Sequence, residues 1–78
     1  MAANPEDKIG LAVCIHNDGF EVSLERRKLY EIVDDPLAAK DGLLRIIDES
    51  GDDYLYPATF FMRVQLPEPI AQAVIEAA

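Results

Sequence analysis

Every apolar run in this chain is short, and each is closed by residues that turn or break a strand. This constrains the fold most, because it favours brief half-buried strands over long helices. The clearest run is near the C-terminus, where Phe60, Met62, Val64 and Leu66 alternate with Phe61, Arg63 and Gln65. Successive side chains of a strand point to opposite faces. The pattern therefore predicts a strand with Phe60 in the core and Phe61 outward.

The same reading extends upstream. In Ile9–Ile15 large and small residues alternate: Ile9, Leu11, Val13 and Ile15 share one face, and Gly10, Ala12, Cys14 and His16 the other. The large face is expected to be core, with the small face admitting a close neighbour. Asn17-Asp18-Gly19 supplies turn chemistry. An irregular extended arm then enters a strand at Lys28–Val33, with Tyr30 and Ile32 on one face and Leu29 and Val33 on the other. Apolar residues on both faces predict a strand covered on both sides. Asp35 before Pro36 suits a helix N-cap with proline at the first helical position, so one helical turn is expected, ended by Asp41-Gly42. Leu43–Ile47 and Tyr54–Tyr56 flank the charged turn Asp48–Asp53 and read as a hairpin stopped by Pro57. After Pro67-Glu68-Pro69, residues 69–77 read as a short helix that should pack through Ile70 and Val74.

The expected architecture is thus mostly β: a small barrel of about five short strands over 9–67, with a flexible tail at 1–8 and a helical segment at 68–78. The 78 residues allow one domain with a thin core, since a chain of this size buries only about 60–65% of its unfolded surface.

Charge bears on partners. Fifteen acidic residues against seven basic ones give a net charge of −8, which repels phosphate on average. The run Arg26-Arg27-Lys28 is flanked by Glu25 and Glu31 and reads as a solvated strand start. Direct nucleic-acid binding is not expected. No apolar run approaches the roughly 20 residues of a membrane helix, and the polar start MAANPEDK does not resemble a signal peptide. A cytoplasmic protein with no membrane partner is expected.

Chemistry-bearing patterns are sparse. Asp48, Ser50 and Asp52 place oxygens at alternate positions, as in a calcium loop. That loop needs glycine at its sixth position and a carboxylate at its twelfth, and here those are Asp53 and Thr59. A turn built from Asp, Ser and Gly accounts for the run better. Cys14 and His16 share a strand face, which allows a thiol–imidazole pair, but a nucleophile also needs an oriented base and an oxyanion site. There is no second histidine to extend a metal site and no phosphate loop, nucleophile elbow or zinc-helix motif. No cofactor, metal or enzymatic activity is expected.

Leu24–Tyr30, Gly42–Asp53 and Tyr54-Leu-Tyr-Pro57 followed by Phe61 resemble a family of short, uncharacterised bacterial proteins with an Asp-Glu-Ser-Gly … Tyr-Leu-Tyr-Pro signature. The resemblance covers about residues 13–67 and implies no mechanism. The element order is also similar to SH3-like barrels, in which a proline, a short turn and an aromatic lead into the last strand; Pro57-Ala-Thr-Phe-Phe61 stands there. SH3 domains that bind proline-rich peptides carry a groove tryptophan, and this chain has none.

The functional expectation is a non-enzymatic protein-interaction module or accessory subunit for a basic protein partner. Its surface is expected around Tyr54, Tyr56, Asp52, Asp53 and Phe61, if the tyrosines are exposed rather than core. Two alternatives are an acidic, antitoxin-like regulator of a nucleic-acid-binding protein and a thiol enzyme using Cys14 and His16.

Overall fold

The computed structural model describes residues 8–77. The predicted tail lies outside them except for Lys8, which already belongs to the first strand. Five strands, β1 (Lys8–Cys14), β2 (Leu29–Val33), β3 (Leu43–Ile47), β4 (Asp53–Pro57) and β5 (Phe61–Val64), form one antiparallel sheet in the order β4-β3-β2-β1-β5. The α-helices among the described residues are α1 (Pro36–Lys40) and α2 (Glu68–Ala77). The fold is mostly β, as the alternation predicts. Neither helix is long and apolar enough to cross a membrane.

Local chemistry sets the connections. Asp35 caps α1 by accepting the Ala38 N–H at 3.0 Å, and Pro36 opens the helix. Gly42 follows in a left-handed conformation at φ 73°, which glycine reaches without steric cost. In the β3–β4 turn, the Asp48 carboxylate accepts the Ser50 N–H at 2.8 Å and Gly51 turns the chain at φ 86°. Arg27 closes the long arm between β1 and β2 at φ 72°, unusual for a side-chain-bearing residue, and its N–H donates to the Cys14 carbonyl at 2.7 Å.

The two edge strands of the sheet lean toward each other through side chains without pairing. A 3-10 turn at Ala58–Phe60 joins β4 to β5, and the rings of Tyr56 and Phe61 meet at 6.2 Å. The sheet curls into a barrel-like globule around Ala12, Cys14, Leu24, Tyr30, Ile32, Ile46, Tyr56 and Phe61.

This core corrects two expectations. In β1 the small face points inward: Ala12 and Cys14 are 0% exposed, while Ile9 is exposed. The centre already holds the rings of Tyr30, Tyr56 and Phe61, so only small side chains fit opposite them. In β5 Phe61 is core and Phe60 only half-buried against it, because Phe60 ends the 3-10 turn and the ladder begins at Phe61, opposite Cys14.

The large β1 face is nonetheless used. Leu11 is buried and pairs with half-buried Val64, and both line hollows beneath α2 with Ile75. β2 is covered on both sides, as expected, with Tyr30 and Ile32 in the core and Val33 buried on the other face. On α2 the half-buried face is Ala71, Val74 and Ile75, while Ile70 is exposed. Val74 thus packs as expected, and Ala71 and Ile75 take the place expected of Ile70.

Candidate functional site

The expected surface residues divide. Tyr54 is 52% exposed, but Tyr56 is 3% and Phe61 7% exposed, and both belong to the core. Tyr54 and Tyr56 do share a face of β4. The first ring reaches solvent, whereas the second is covered by Phe20 of the arm. Asp53 pairs with Arg45 at 3.2 Å, and Arg45 also holds Asp35 at 2.9 Å. Asp52 closes the turn, its carbonyl accepting the Asp48 N–H at 3.1 Å and its N–H donating to the Ser50 hydroxyl at 3.2 Å.

A residue outside that expected set completes the face. Phe20, on the arm directly after Asn17-Asp18-Gly19, is 40% exposed and meets Tyr56 edge-on at 5.1 Å and Phe60 at 6.0 Å. His16 stands 6.4 Å from Phe60 on the same side. Between arm and hairpin lies a groove of about 330 Å³, lined by Phe20, Ser23, Ser50, Tyr54, Leu55 and Tyr56, with Asp48 beside Tyr56. A lone aromatic just past a turn is a weak sequence signal for such a site, and proximity to Tyr56 supplies the rest.

Two tyrosine hydroxyls fasten the arm to the hairpin turn. Tyr56 donates to buried Asp48, whose carboxylate also accepts from the Ser50 hydroxyl. Tyr30 donates to Glu49 at 2.6 Å and accepts the Glu25 N–H at 2.7 Å. Lys28 meets the same Glu49 carboxylate, 2.8 Å from one oxygen and 2.6 Å from the other, and the Glu49 N–H donates to the Ser23 carbonyl at 3.1 Å. Burial alone would raise the Asp48 carboxyl, but hydrogen bonds from Ser50 and Tyr56 hold it below the usual carboxylate range. Lys28 and then Tyr30 do the same for Glu49. Burial and the Asp48 carboxylate push the Tyr56 hydroxyl up to about 12. At neutral pH this arrangement has two ionised carboxylates held by neutral tyrosines. It braces the wall of the groove.

The Cys14–His16 pair is not assembled. The thiol is fully buried and donates to the His16 backbone carbonyl at 3.1 Å, while the imidazole packs toward Phe60. Burial raises the thiol pKa, which disfavours the nucleophilic thiolate. Native protein is expected to react with a disulfide reagent such as DTNB at least about a hundredfold more slowly than urea-unfolded protein. Equal rates would place Cys14 at an accessible surface. Among the described residues no group of three or more histidine, cysteine or acidic side chains is arranged to hold a metal. Comparisons with protein-family models, curated proteins and solved structures found no match for this chain.

Proposed function

We propose that this chain is a non-enzymatic interaction module, or a small accessory subunit, built on an SH3-like barrel and binding a basic protein partner. The observation that carries the reading is the groove between arm and hairpin. Phe20 and Tyr54 remain exposed there on an otherwise acidic chain. Exposed aromatic anchors beside a preformed hollow suit a protein contact. Asp18 and Glu21 bracket Phe20, and Asp52 and Asp53 precede Tyr54, so charge favours lysine- or arginine-bearing partners. Support for the SH3-like assignment comes from the strand order, the long arm between β1 and β2, and the 3-10 turn between β4 and β5.

The test compares wild type with Tyr54→Ala and Phe20→Ala as immobilised baits. A basic protein recovered by wild type should bind either variant about 30-fold more weakly or worse, as truncation of an anchor worth about 2 kcal/mol requires. Raised salt should weaken it further. Thermal melts establish that each bait is folded. Equal recovery by all three baits would remove the groove from the interaction.

A further inference from the structure

We propose that the partner of this groove docks as an added β-strand along the free edge of β4, in an extended segment that alternates apolar and basic side chains. This rests on the interaction-module reading above and specifies how the partner binds. β4 ends the sheet order, and among the described residues no strand lies on its other side.

The register shows which backbone groups are available there. β4 pairs with β3 as Leu44↔Tyr56, Arg45↔Leu55, Ile46↔Tyr54 and Ile47↔Asp53. At the two ends of this ladder, the Asp48 N–H donates to the Asp52 carbonyl and the Ala58 N–H to the Gly42 carbonyl. Antiparallel pairs alternate between bonded and non-bonded, so Tyr54 and Tyr56 spend their backbone groups on β3. The N–H and C=O of Asp53 and Leu55 point away from the sheet, as does the carbonyl of Pro57. An unpaired edge of this kind is a template for a strand from another chain.

The two faces of β4 define the pattern of the incoming side chains. On one face Tyr54 and Tyr56 border the groove with Phe20, which suits apolar residues. Asp53 and Leu55 occupy the other face, where Asp53 and Asp35 share one arginine, Arg45. Two carboxylates against one guanidinium leave that face acidic, which suits lysine or arginine. A strand has period two, so a single extended segment meets both demands by alternation. Pro57, which lacks an N–H, limits the ladder at its C-terminal end.

The experiment titrates isotope-labelled protein with the capped peptide acetyl-Lys-Val-Lys-Val-Lys-Val-Lys-amide, and in parallel with the same peptide N-methylated at alternate residues on either parity. The plain peptide should slow exchange of the Leu55 and Asp53 amides about tenfold at about nine-tenths occupancy, and one of the two methylated parities should abolish binding. Leu55→Pro should abolish it too, because that N–H is not used within the sheet. As a second variant, Leu55→Lys keeps the amide and should weaken binding through like charge with the peptide. Suppose all peptides bind equally, shifting Phe20 and Tyr54 but leaving the Leu55 and Asp53 amides unprotected. The groove reading then survives and the strand-addition inference fails. Absence of any binding would overturn both. Protection of the Leu55 amide without peptide, together with a dimer in sedimentation, would assign the edge to a second copy of this chain and overturn the basic-partner inference.

Discussion

Tyr56→Ala is expected to destabilise the domain by about 3–5 kcal/mol, the range for removing a large aromatic from a core. For a domain this small such a loss lowers the melting temperature by well over ten degrees at about 4–8 °C per kcal/mol, and can exhaust the total stability. Two effects add. The ring fills the barrel between Phe20 and Phe61, and its hydroxyl satisfies the buried Asp48 carboxylate. Tyr56→Phe separates them. It keeps the ring, leaves Asp48 with only its Ser50 partners, and should cost about 1–3 kcal/mol. Tyr54→Ala, two residues away on the same strand face, should stay within about 0.5 kcal/mol because that ring is half in solvent. Urea denaturation of the three variants checks the order. If Tyr54→Ala and Tyr56→Ala cost the same, the burial assigned to Tyr56 is wrong. The comparison also bears on binding assays, because loss of a partner by a Tyr56→Ala bait would report unfolding.

Acid should unfasten the arm from the hairpin. Asp48 and Glu49 are held below their ordinary carboxylate values in the folded protein, as is Asp35, which caps α1 and faces Arg45. A carboxylate lowered on folding adds stability that is present above its unfolded value, near pH 4. That stability is lost as pH falls through the lower folded value. Relief of repulsion among the excess negative charges acts in the opposite direction on the whole chain. The diagnostic quantity is therefore a difference between variants. Wild-type stability should fall as pH drops below about 4.5, and Asp48→Asn should flatten that limb while starting lower at pH 7. The alkaline limb has the opposite sign. Tyr56 is raised to about 12, so its contribution is complete below about pH 10 and is lost as pH climbs through the folded value. Denaturant midpoints measured across pH for wild type and Asp48→Asn decide the matter. Parallel acid limbs would show that Asp48 is not a linked group.

Much of the architecture was legible from the chain because its causes are local. Alternation marked the strands, Asp35-Pro36 marked a capped helical turn, and Asp48–Asp53 marked a hairpin turn, since propensity, capping and turn chemistry act over a few residues. Parity was also correct: Ala12 and Cys14 do share one face of β1, and Met62 and Val64 one face of β5. The choice of inner face was not legible. Both faces of β1 are covered, one by the barrel interior and one by α2, so an apolar stripe on either side satisfies the same pattern. The rings of Tyr30, Tyr56 and Phe61 decided it by filling the interior, so that β1 contributes only the small Ala12 and Cys14 there. The site followed the same division. An exposed Tyr54 and an acidic turn could be read from residues 48–56, whereas the burial of Tyr56 and the arrival of Phe20 required the arm to fold across the hairpin. Sequence determined the strands, their faces and the charge of the surface, because each depends on neighbours along the chain. Tertiary structure alone decided which face became core and which aromatics met in the groove, because close packing is a contest for one volume among strands distant in sequence.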